Sequence, residues 1–222
     1  MKVAVYCGTR NLYEDMVTAA KSLITNSTVE KIYFLIEDDV FPLPLPNCVE
    51  CINVSNQQIF NHTGPNYHNG WTYMVLMRAA LHKVFPELDR ILSLDVDTVV
   101  TGDISELWDI DVTDYYFAGV KEPMKSGASL YINAGVMIVN LKKLRDGKGD
   151  EIIEALNTRR FPFNEQDCMN ELCRGGILEI SSDYNANNYT TPTITPKIVH
   201  FAAIQSWRNA PLVKMYREKA WK

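Results

Sequence analysis

The opening of the chain alternates two kinds of hydrophobic spacing. KVAVYC is a short run of β-branched and apolar residues, YEDMVTAAKSLI places its apolar residues at helical intervals, and KIYFLIED is strand-like again after the polar break NSTVE. FPLPLPN is a stiff connection and VECINVS reads as a third short strand. QIFNHTGPNYHNG is rich in turn formers and is predicted to be a loop, followed by WTYMVLMRAALHKVF, a helix that passes through a PELD turn into the strand ILSLDVD. Downstream, DISELWDI predicts a short helix, YYFAGVKEP a strand entering a loop, and YINAGVMIVNLKKLR a strand leading into a helix. DEIIEALNTRR predicts a helix with an acidic first turn and a basic end, as the backbone dipole favours. FNEQDCMNELCRG predicts a further helix, and ILEISSDYN and PKIVHFA two last strands. Such alternation predicts an α/β domain with a mostly parallel central sheet flanked by helices, and ligands at the carboxyl ends of its strands.

One strand breaks the apolar pattern. ILSLDVDTVV, residues 91–100, has apolar residues on both sides and so predicts a central strand, yet it carries Asp95 and Asp97. On a strand, residues i and i+2 share a face, so both carboxylates should point the same way. Like charges that close repel, and taking one out of water costs on the order of several kcal/mol. A divalent cation between them offsets both terms. Hard oxygen donors at this spacing suit Mg2+ or Mn2+, ions that complete their shells with phosphate oxygens. The pair therefore suggests a metal-bridged nucleotide diphosphate.

Composition narrows the class further. With 222 residues, 46% hydrophobic and 22% charged, the chain is expected to form one domain with a substantial core. A net charge of −5 argues against a nucleic-acid partner, since phosphate backbones require a basic face. No apolar run approaches membrane-span length, and the five cysteines have no disulfide-framework spacing, so the protein reads as cytoplasmic. Cys48 and Cys51 form a lone CxxC, read as packing residues; four N-x-S/T sequons then carry no role. The last segment, 208–222, includes the basic, amphipathic PLVKMYREKAWK. Such a helix can lie at the inner face of an anionic membrane, although docking on the domain is the preferred reading.

Five blocks stand in a telling order: LDRILSLDVDTVVTGDISELW, YINAGVMIVNLKKLR, FNEQDCMN, DYNANN and KIVHFAAIQSW. Together with Arg78 ahead of the first, they resemble the blocks of retaining glycosyltransferases of family 8, a GT-A fold group that includes bacterial lipopolysaccharide galactosyl- and glucosyltransferases and glycogenin. The resemblance covers most of residues 1–207, taken as a single GT-A, Rossmann-like domain.

That resemblance implies transfer of galactose or glucose from a UDP-sugar to a hydroxyl of a glycan, glycolipid or glycoprotein acceptor, with retention of configuration. It makes Asp95, Asp97 and His200 metal ligands, and imidazole nitrogen favours Mn2+ over Mg2+. Thr9, Asn11 and Tyr13 would hold the base and ribose, although CGTRNLY matches that part of the family imperfectly and Leu12 looks like an insertion. Arg78 would approach the donor diphosphate or sugar as a bidentate donor. Val96, Asn133, Ala134 and Gly135 would join the donor-binding set, with glycine allowing close backbone approach. Gln166 would stand beside the anomeric carbon and Asp167 would orient sugar hydroxyls. An amide is a poor nucleophile, so the resemblance favours internal return over a covalent intermediate. Glu165 reads either as part of this group or as a solvated acid at a helix start, and His62, His68 and His82 as structural. Acceptor-side residues are expected in 60–70 and 122–130.

One departure stands out. The family's His-containing signature continues through glycine to Lys-Pro-Trp, with the lysine at the diphosphate; here HFAAIQSW has no lysine, and Arg208 follows as a candidate replacement. Two rival readings remain: a sugar-phosphate nucleotidyltransferase, for which CGTRN is a poor triphosphate loop, and a non-catalytic nucleotide-sugar-binding protein.

Overall fold

The computed structural model describes residues 1–123 and 130–221. In chain order these form β1 (Val3–Cys7), α1 (Tyr13–Asn26), β2 (Lys31–Ile36), β3 (Val49–Asn53), α2 (Leu81–Val84), β4 (Arg90–Leu94), β5 (Thr98–Val100) and β6 (Phe117–Lys121). There follow β7 (Ile132–Asn140), α3 (Leu141–Leu144), α4 (Lys148–Thr158), α5 (Asn164–Leu172), β8 (Ile177–Glu179), β9 (Ile198–His200) and α6 (Pro211–Glu218). The described residues make a seven-stranded sheet ordered β3-β2-β1-β4-β7-β6-β8, and β5 and β9 pair separately. Within the large sheet β7 runs antiparallel to both its neighbours, and the remaining pairings are parallel.

The strands are apolar on both faces because both are covered. Val3 and Val5 of β1 enter one core cluster while Ala4 and Tyr6 enter the other, and Ile91 of β4 separates in the same way from Leu92 and Leu94. The first cluster packs α2–α5 against the sheet through Leu81, Leu144, Ile152, Leu156 and Met169. The second packs α1 through Met16, Ala20 and Leu23. The expected architecture is therefore present: one α/β domain, mostly parallel, with helices on both faces and β4 buried at its centre.

Three elements differ in detail from the sequence reading. β4 ends at Leu94, so Asp95-Val96-Asp97 is a turn rather than the continuation of a strand. The Asp95 carbonyl accepts from the Thr98 N–H (3.2 Å) and the Thr98 hydroxyl (2.6 Å), which reverses the chain and brings the two carboxylates together by turn geometry rather than by the strand pleat. Residues Tyr73–Ala80 wind as a 3-10 helix before α2. The buried residues Met74, Met77 and Ala80 recur every three positions, a period that both helix types accommodate. The ILEISSDYN strand stops after Glu179, and Ser182–Tyr184 form a 3-10 turn.

The terminal helix α6 docks on α1. Asn26 Nδ2 donates to the Tyr216 hydroxyl (2.6 Å) and Lys21 Nζ to the Arg217 carbonyl (3.1 Å). Val213 and Tyr216 join Val99 and Trp207 in a small apolar cluster. Buried Asp15 on α1 accepts from Arg208 Nε (2.9 Å) and its terminal nitrogen (2.6 Å) through Oδ2, and from Arg217 (3.0 Å) through Oδ1. Among the described residues no helix is long and apolar enough to cross a membrane. Cys48 and Cys51 are free thiols packed beside the second core cluster.

Candidate active site

A cleft of about 410 Å³ opens where β1 and β4 end and β7 begins. Its lining includes Cys7, Leu12, Arg78, Asp95, Val96, Asp97, Asn133, Glu165, Gln166, His200 and Arg208. The Asp95–Asp97 turn is tied to the sheet: the Asp95 N–H donates to the Gly135 carbonyl (2.8 Å), one residue beyond the last β4–β7 register pair, Leu94 with Val136.

His200 reaches the aspartates because β9 pairs with β5 in a register that sets it opposite Thr98, and Phe201 N–H donates to the Asp97 carbonyl (3.0 Å). Its Nε2 lies 3.2 Å from Asp97 Oδ1 and 3.7 Å from Asp95 Oδ2. On the other side of the ring, Nδ1 is 2.8 Å from Asn185 Oδ1. A carboxamide oxygen can only accept, so Nδ1 carries a proton and Nε2, turned to the carboxylates, is the nitrogen whose lone pair becomes available to a metal when it gives up its proton. Ligand atoms of Asp95, Asp97 and His200 all lie within 4.8 Å of one another. Two hard oxygens and one imidazole nitrogen on one side of a corner fit a six-coordinate ion such as Mn2+ or Mg2+ that leaves its other positions to phosphate or water. Burial disfavours the charged His200 ring, but the Asp97 carboxylate outweighs it and the pKa is raised. Burial likewise pushes Asp97 up, and His200 more than offsets this, so its pKa is lowered.

Behind the corner runs a chain of carboxamides. Asn185 Nδ2 donates to Asn133 Oδ1 (2.9 Å), which also accepts from the Gly135 N–H (2.9 Å), while Asn133 Nδ2 donates to Glu122 (2.6 Å). Gly135 has a specific reason to lack a side chain: a Cβ there would run into the His200 imidazole. Asn133 and Gly135, expected to face a sugar, thus also shape the seat of the histidine. Asn185, inside DYNANN, carried no individual role in the sequence reading; only its place in a matched block could have signalled one.

Arg78 is the second centre. Its terminal nitrogens bind Asp95 Oδ1 (2.6 Å), the Ala134 carbonyl (2.9 Å) and the Glu165 carboxylate. Glu165 is buried against it, not solvated. One cation shared by two carboxylates leaves a deficit of positive charge, and burial pushes Glu165 up to about 7 despite Arg78. Gln166 lines the cleft with its carboxamide fixed at both ends: Oε1 accepts from the Ala134 N–H (2.8 Å) and Nε2 donates to the Tyr131 hydroxyl (3.1 Å). Asp167 accepts from that hydroxyl (2.5 Å) and from the Phe163 N–H (2.8 Å).

The first-strand group is arranged differently. Leu12 faces the cleft, whereas Tyr13 is buried, its ring 4.8 Å from that of Phe41 and tilted 36° to it, with its hydroxyl donating to Asp38 (2.8 Å). Thr9 donates to Asn11 (2.6 Å), and neither lines the cleft; Asn11 and Tyr13 line a neighbouring cavity of about 360 Å³. Arg208 borders both cavities with its guanidinium on Asp15. Of the expected acceptor loops, 60–70 is anchored by Asn66 Nδ2 on the Leu156 and Arg159 carbonyls (each 2.6 Å), whereas 124–129 lie outside the described residues.

The fold with its corner of acids and imidazole defines the GT-A class of α/β domain. The structure superposes on the galactosyltransferase LgtC, solved with donor and acceptor sugar analogues, at a TM-score of 0.76 and 17% identity, covering 97% of this chain and 95% of LgtC. GlyE of Streptococcus pneumoniae gives the same TM-score at 20% identity, over 99% of this chain and 61% of GlyE. Residues 3–209 match the family model of glycosyl transferase family 8, and the chain belongs to that family. Among curated relatives, the lipopolysaccharide 1,2-glucosyltransferase of Escherichia coli K12 is 36% identical over 115 residues, which are 44% of this chain and 33% of that enzyme. A putative glycosyltransferase of Haemophilus influenzae is 28% identical over 123 residues, 49% of this chain and 37% of the relative. The chain thus spans about a third of the length of these two relatives.

Proposed function

We propose that this domain transfers a hexose, galactose or glucose, from a UDP-sugar to an acceptor hydroxyl with retention of configuration, using Mn2+ held by Asp95, Asp97 and His200. The observation that carries this reading is the convergence of those three side chains with the histidine tautomer set by Asn185, in a member of a glycosyltransferase family. Bound there, the ion would neutralise the donor diphosphate and favour its departure.

The protein's own groups supply the rest. Arg78, buried and held by Asp95 and Glu165, sets a fixed positive charge on the donor side of the cleft. Val96, in the Asp95–Asp97 turn, and Asn133, Ala134 and Gly135, at the start of β7, would flank the donor. Gln166 would lay its amide against the sugar, and Asp167 would stiffen that contact through Tyr131. The carboxylates that line the cleft are all engaged: Asp95 and Asp97 face the corner, Glu122 accepts from Asn133 and Glu165 is bound to Arg78. None is poised as a free nucleophile among the described residues, which supports internal return, with the acceptor hydroxyl attacking on the leaving-group face and its proton passing to the departing phosphate.

The test is UDP release from UDP-galactose and UDP-glucose, with Mn2+ and with chelator. Metal-dependent release with an α-configured product is expected. Tight UDP-sugar binding without turnover in any acceptor mixture, or pyrophosphate release from UTP and a sugar phosphate, would overturn the assignment.

A further inference from the structure

Trp71, Phe163 and Tyr189 are 51%, 41% and 42% exposed, and they are the aromatic members of the exposed large apolar side chains among the described residues. All three line the cleft. Exposed apolar surface gathered at one concave site marks a place where a ligand covers it. The Trp71 and Phe163 rings stand 5.8 Å apart, centre to centre, inclined at 48°, so their faces are not closed upon each other.

The pair is held from behind. Asn69 Nδ2 donates to the Phe161 carbonyl (2.6 Å) and to Asn164 Oδ1 (2.8 Å), which ties the segment carrying Trp71 to the one carrying Phe163. Asn164 itself adopts a left-handed φ of 46°, is 1% exposed, and lines the cleft. Its Nδ2 has no hydrogen-bond partner. The bond from Asn69 fixes the carboxamide's orientation, so a flip cannot satisfy that nitrogen. A buried donor left unpaired beside two exposed rings points to a ligand with an apolar face and an oxygen-bearing edge.

We propose that Trp71 and Phe163 form the platform on which the acceptor stacks, and that the acceptor is the pyranose ring of a neutral glycoside. This rests on the sugar-transfer reading above and names the second substrate of that cleft. A pyranose offers a C–H face to the rings and hydroxyls to the polar groups beside them, Thr72, Asn164 and Gln166. The two arginines of the cleft lining are engaged, Arg78 by Asp95 and Glu165 and Arg208 by Asp15, which leaves a charged sugar no spare cation among the described lining residues.

The test uses methyl glycosides of glucose, galactose and N-acetylglucosamine, with UDP and Mn2+ present. A saturable change in tryptophan emission is expected with at least one of them, and it should vanish in Trp71→Ala. In transfer assays, W71A and F163A should raise the KM for that glycoside about tenfold, with the Kd for UDP within about twofold of the parent and substantial recovery in W71F. Unchanged glycoside KM in folded W71A and F163A, or a serine or threonine peptide accepted in preference to every glycoside, would overturn the platform. UDP release by the unaltered protein reads the sugar-transfer proposal separately: glycoside-dependent emission without UDP release would leave the platform standing and sink that proposal alone.

Discussion

Asn185 Oδ1 lies 2.8 Å from His200 Nδ1, and both residues are buried. This one contact decides which imidazole nitrogen faces the aspartates. Asn185→Ala should therefore weaken Mn2+ binding by about 10–100-fold, the usual cost of losing a partner behind a ligating histidine. Calorimetric titration with Mn2+ checks it; unaltered affinity would show that Asn185 does not orient the ring.

Gly135→Ala should displace His200, because the added Cβ would meet the imidazole and the surrounding sheet is too tightly paired to yield. Overpacking of this kind costs about 1–3 kcal/mol. The variant is expected to melt at a lower temperature and to bind Mn2+ far more weakly. Near-parental values in both thermal denaturation and metal titration would count against the steric argument.

Glu165 supplies a pH signature. Burial raises its pKa from an ordinary 4.5 to about 7, against the pull of Arg78. Between those values the folded protein binds more protons than the unfolded chain, so stability falls as pH rises, and the loss is complete above about pH 7. Glu165→Gln cannot lose that proton. The stability difference between variant and parent should shift in favour of the variant from pH 5 to pH 7.5, by at most about 3 kcal/mol. Parallel pH profiles in urea denaturation would refute the assignment.

Asp15 is the hub of the α1–α6 contact. Asp15→Ala leaves two arginines without their common partner, whereas Arg208→Ala leaves Asp15 still paired with Arg217. The larger loss of stability is expected for D15A, about 1–3 kcal/mol, and the smaller for R208A. Protease susceptibility of residues 208–221 should rise in the same order. If R208A proves the more damaging, Arg217 does not hold the carboxylate alone.

Much of the fold could be read from apolar spacing because the strands are buried on both faces and the helices on one. β1, β2, β4 and β7 announce themselves in this way. The DVD turn did not, since ILSLDVDTVV has strand composition throughout and its reversal depends on Thr98 binding back to Asp95. The 3-10 winding of Tyr73–Ala80 escaped for a related reason: three-residue burial satisfies either helix. At the site, Asp95, Asp97 and His200 converge as the matched blocks implied, whereas the burial of Glu165 and the inward turn of Tyr13 depend on contacts with Arg78 and with Asp38 and Phe41 that no local pattern encodes.

The pairing of β9 with β5 also bears on how the protein is made. Synthesis delivers both aspartates well before the imidazole, which arrives only with β9. A nascent polypeptide thus presents two acids and no nitrogen until that late strand docks. An ion held by all three donors would therefore be captured after β9 has paired with β5, not before.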